Sequence, residues 1–66
     1  MERRIELRKV SEFGNGTVKF TFAEITSMPG QFAIMATQGL QRIVIQGDRK
    51  EMLLFVEAVA RDIREH

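Results

Sequence analysis

Four cations, Arg4, Arg8, Lys19 and Arg42, are the side chains best placed to meet a charged partner, because each falls where an alternating segment turns its polar residues outward. Spread across one sheet face, such cations follow the phosphates of a single nucleic-acid strand. Small apolar side chains between them, here Met35 and Val44, would then lie beneath unstacked bases. The same mixture of cations, polar groups and modest apolar area also suits a solvated face or one covered by another protein subunit. Other chemistry lacks its parts. There is no cysteine and a single histidine, His66, at the last position, so no nucleophile–base pair and no metal-ligand set can be drawn. Gly14-Asn15-Gly16 lacks the lysine and following helix of a phosphate-binding loop and is expected to be a turn. The residue types therefore predict no enzyme, metal, cofactor or small-molecule substrate.

Residues 1–66 are expected to form a single domain, close to the size below which a lone chain struggles to bury enough surface. The chain is 44% hydrophobic, but a core of this size rarely yields more than ~3–5 kcal/mol. Without cysteine, association is the remaining reinforcement, and a homodimer is the economical expectation. The net charge of +1 forces neither nucleic acid nor membrane as partner, so the distribution of charge matters more than its sum. No apolar run reaches membrane-spanning length and no secretory hydrophobic stretch opens the sequence, which predicts a cytoplasmic protein without a membrane partner.

The elements that must position these residues follow from hydrophobic period. Arg4 to Val10 alternates as a strand, with Ile5 and Leu7 inward and Arg4, Glu6 and Arg8 outward; a bulge near Arg8-Lys9 would return Val10 to the apolar side. After a turn at Phe13 to Gly16, a second strand from Thr17 to Ile25 puts Val18, Phe20 and Phe22 inward and Lys19 and Thr21 outward. Met28-Pro29-Gly30-Gln31 fits a type II turn. Strands from Gln31 to Thr37 and from Leu40 to Gln46 then flank Gln38-Gly39. Taken as a two-residue hairpin loop, this dipeptide sets Ile34 opposite Ile43, Phe32 opposite Ile45, Met35 opposite Arg42 and Ala33 opposite Val44. Short links make the sheet antiparallel.

A helix closes the sequence. Asp48 with Glu51 three residues on has capping-box spacing, and Met52, Phe55, Val56, Val59 and Ile63 recur as one apolar stripe. Glu57, Arg61 and Glu65 take the opposite side. Leu54 and Ala58 fall outside the stripe and are the candidates for a dimer contact. The expectation is an α+β domain, a four-stranded antiparallel meander with one C-terminal helix packed on one face. Its core should hold Ile5, Leu7, Phe20, Phe22, Phe32, Ile34, Ile43, Ile45, Phe55, Val56, Val59 and Ile63. All five phenylalanines are then spent on the core or a turn, and only Phe13 is free to reach a ligand.

Arg42-Ile43-Val44-Ile45, a last strand opening on a basic residue, followed by Phe55-Val56-Glu57-Ala58-Val59 on a helix, is similar to the end of a Pur-type repeat. Glu24 near the close of the second strand fits the same pattern loosely. In outline the whole chain resembles one repeat of the Pur-alpha and bacterial Pur-type proteins, and also the transcriptional positive-coactivator and Whirly group. The resemblance implies a homodimer that binds single-stranded DNA or RNA across its sheets. Two functions stay open: single-stranded nucleic-acid binding through the face away from the helix, or a small protein-interaction or assembly module that binds none.

Overall fold

A computed structural model describes residues 6–66. Four strands, β1 (Leu7–Gly14), β2 (Lys19–Ile25), β3 (Gln31–Gln38) and β4 (Gln41–Asp48), form one antiparallel sheet in the order β1-β2-β3-β4. Helix α1 (Arg49–Glu65) follows. This is the expected ββββα arrangement. Ile5, expected in the core, lies outside the described residues.

The links between strands obey local rules. Between β2 and β3, Gly30 has φ +83° and the Gln31 amide donates to the Met28 carbonyl at 3.0 Å, which is the type II turn that Pro29-Gly30 favours. Between β3 and β4, Gln38 pairs with Gln41, so the loop is Gly39-Leu40 and not Gln38-Gly39. Gly39 alone has positive φ there, +58°, as the first position of a type II′ turn requires. The one-residue move of the loop slides the pairing by two. Ile34 now faces Ile45, Met35 faces Val44, Thr37 faces Arg42 and Ala33 faces Gln46. A slip of two leaves every side chain on its expected face.

β1 departs from expectation more seriously. The register shifts between Lys9 and Ser11, so Val10 is the extra residue, just beyond the expected bulge. Before it, Leu7 pairs with Ile25 and Lys9 with Ala23; after it, Ser11 pairs with Phe22 and Phe13 with Phe20. Cross-strand partners share a face. Leu7 therefore lies on the face away from the phenylalanines and is exposed, and Arg8 lies with Glu24 on the phenylalanine side. Phe13, expected in a turn, is a strand residue.

Asp48 caps α1 as its spacing predicts. Its carboxylate accepts from the Glu51 amide at 2.8 Å, and its own amide donates to Glu51 Oε1 at 3.1 Å. Gly47 lets the first turn approach β4: a Cβ there would sit 3.3 Å from Glu51 Cβ and 3.5 Å from Met52 Sδ. Beyond that turn the helix parts from the sheet. Met52 is its one buried residue, while Phe55, Val56, Val59 and Ile63 remain exposed. Exposure also rises along the phenylalanine face with distance from the start of α1. Phe32, Phe22, Ile34 and Ile45 are half-buried, whereas Phe20 and Ile43 are exposed. The closed core expected beneath the helix is thus not formed within one chain. The residues that are buried, Ala23, Ile25, Ala33 and Met52, are all others, although Met52 lies on the expected helical stripe. Ala23, Ile25 and Ala33 lie on the opposite face, where Gln46 Nε2 reaches Met28 Sδ at 3.8 Å. With its helix projecting, the molecule measures 46 × 29 × 19 Å.

Candidate functional site

On the sheet face away from α1, pairing brings side chains into rows that run across the strands. One row is Lys9, Ala23, Ala33 and Gln46; the next is Glu12, Thr21, Met35 and Val44; the last is Lys19, Thr37 and Arg42. Strands lie ~4.8 Å apart, so the Lys19 and Arg42 backbones, two strands apart, stand ~10 Å from each other with Thr37 between them. Met35 and Val44 are direct partners one row inward, and Val44 is 54% exposed. Lys19, Met35, Arg42 and Val44 are thus brought together as the alternation predicts. Arg8 is not: it bridges Glu24 on the other face. Arg4 lies outside the described residues.

Two residues of this surface escape sequence reasoning. Lys9 joins the outer face because the bulge falls after it, and Glu12 joins because the bulge precedes it. The Glu12 carboxylate lies 3.6 Å from Lys9 Nζ and 3.9 Å from Lys19 Nζ, tempering both cations. Among the described residues the ion pairs are these two, Arg8–Glu24 and Arg61–Asp62, and Arg42 enters none of them. Nothing in the bare alternation of β1 locates its bulge to the residue, which is why Lys9 and Glu12 were not legible.

The face under α1 is of another kind. Phe22 and Phe32 stack with centroids 5.5 Å apart, and the Arg49 guanidinium lies 6.0 Å from the centre of the Phe32 ring. Between these rings and the second turn of α1 runs an open cleft of about 710 Å³, walled by Phe13, Phe20, Phe22, Ile34, Leu53 and Val56. Four of the five phenylalanines therefore meet this cleft, and none lies on the cationic face. Leu54 is exposed on the side of α1 that carries Arg61 and Glu65, and Ala58 is half-buried. Among the described residues no group of three or more His, Asp or Glu side chains is disposed to hold a metal ion. None of their helices is long and apolar enough to cross a membrane.

Comparison with protein-family models, with curated proteins and with solved structures finds no match to this chain.

Proposed function

We propose that the protein is a homodimer that binds single-stranded DNA or RNA across the sheet face turned away from α1. The observation that carries this reading is the juxtaposition of Lys19 and Arg42 in one row with Met35 and Val44 in the next. Cations at the edge of the row neutralise phosphates, and the apolar pair beneath them meets base faces. Lys9 joins the phosphate-binding set in place of Arg8. A smooth sheet face has no protruding helix to enter a major groove, so single strands are preferred over duplex.

The test is fluorescence anisotropy with labelled single-stranded DNA and RNA at low salt. Micromolar binding is expected, weakening steeply with salt. The Lys19→Glu/Arg42→Glu double variant should bind at least tenfold more weakly. Its salt slope should be shallower by about 1.4, the contribution of two phosphate contacts. Absence of binding by the wild type at about 50 µM, or undiminished affinity in a folded double variant, overturns the site. The second reading, an assembly module without nucleic-acid binding, draws on the breadth of the apolar cleft and predicts the first of those outcomes.

A further inference from the structure

The phenylalanine-walled cleft and the outer three turns of α1 are two halves of one unfilled contact. Packing voids in folded proteins are few and scarcely larger than a water molecule. An apolar cleft of about 710 Å³ is a seat for side chains. Ser11, Thr21 and Arg49 also line it, but apolar surface dominates its walls, which suits packed side chains better than a small molecule held by converging polar groups. Beside it stand Phe55, Val59 and Ile63, exposed on the same apolar stripe as the buried Met52. A stripe of that length on a 17-residue helix is a surface made to be covered, and the chain's own sheet covers only its first turn.

The size of the surface says what covers it. A folded monomer of 7.6 kDa exposes about 4,300 Å², whereas this chain exposes 5907 Å². Leaving residues 1–5 out of both sides, at the ~1,000 Å² ceiling for five residues of chain, lowers the expected area to about 4,000 Å² and keeps the surplus near 900 Å². Stable complexes bury about 800 Å² on each partner. The surplus is thus one partner's share of a standard interface.

We propose that the cleft is occupied by α1 of a second copy, in a two-fold arrangement where each helix lays Phe55, Val59 and Ile63 against the partner's phenylalanine face. A two-fold axis fits because each chain carries both the seat and the element that fills it, so two equivalent contacts form at once and the assembly closes. The proposal rests on the homodimer part of the reading above and names its surface. It assigns the contact to the apolar stripe and leaves Leu54, on the charged side of α1, outside it.

Sedimentation equilibrium from about 1 to 100 µM tests the proposal, with circular dichroism as the check on folding. The wild type should have twice the chain mass. The Val59→Glu/Ile63→Glu variant should dissociate at least a hundredfold more readily, and Leu54→Glu should remain dimeric. A monomeric wild type overturns the homodimer itself and leaves a foreign partner or an apolar ligand as the occupant. A dimer that survives Val59→Glu/Ile63→Glu, or is lost in Leu54→Glu, overturns this interface while leaving the homodimer standing. Should the double variant unfold, isotope-filtered NMR on a mixture of labelled and unlabelled wild type reads the contact directly. Inter-chain signals from Val59 and Ile63 methyls to Phe13 and Phe20 rings are expected; their absence rejects the proposal. Neither measurement involves nucleic acid, so each can fail independently of the binding site on the opposite face.

Discussion

Gly14 stands where the β1–β2 hairpin begins to close, and a Cβ at that position would lie 2.6 Å from the Val18 carbonyl oxygen. Backbone must move to admit any side chain, so Gly14→Ala should destabilise the fold by about 1–3 kcal/mol in urea unfolding at fixed protein concentration. Asp48 makes a different contribution, two reciprocal hydrogen bonds at the start of α1. Asp48→Ala should cost about 0.5–2 kcal/mol by the same measurement. On the cationic face, Glu12 sits between Lys9 and Lys19. Glu12→Gln should tighten binding of a single strand severalfold at low salt, with the gain fading as salt screens the cations. The cap was legible because Asp48 and Glu51 are three residues apart whatever the tertiary structure does. Glu12 was not, because its face depends on where one extra residue enters β1.

At the scale of elements, the β3–β4 hairpin shows how far pattern reaches. Alternation of apolar and polar residues assigns each side chain to a face, but it is blind to a slip of two. Turn geometry settles the slip: a two-residue loop that opens on positive φ places Gly39 first and Leu40 second. Leu40 is then wholly exposed, touching nothing its size would reward. Leu40→Gln should change stability by no more than about 0.5 kcal/mol, which denaturant titration can check. Helix α1 illustrates the complementary limit. Its cap and its stripe are written in residue spacing, yet a stripe states only that a face is to be buried, not whose surface buries it. Assigning Phe55, Val56, Val59 and Ile63 to the chain's own core went beyond what periodicity contains.

For the molecule as a whole, the two sides of the sheet differ in kind. One side gathers phenylalanines and a projecting apolar helix; the other carries Lys9, Lys19 and Arg42 around Met35 and Val44. On the proposed reading assembly and ligand binding use opposite faces, so pairing of two chains would leave both cationic faces open. If two chains pair as proposed, stability should depend on concentration, because mass action favours a dimer. The unfolding midpoint should rise by several degrees between about 5 and 500 µM chain in scanning calorimetry. A midpoint that stays constant over that range contradicts association through the helix side. The division was partly legible: Lys19, Met35, Arg42 and Val44 were assigned to one face from parity alone. Openness of the other face was not legible, because spacing does not say that α1 buries only Met52 of its stripe.

The assignment of the ligand to the cationic face is tested most directly by mapping amide and methyl chemical-shift changes as a single-stranded oligonucleotide is titrated into the labelled protein. The changes should cluster on Thr21, Met35, Thr37, Arg42, Val44 and Gln46, with Phe20, Phe22, Leu53 and Val56 undisturbed. Changes centred on the phenylalanine cleft, or none at saturating oligonucleotide, would contradict it.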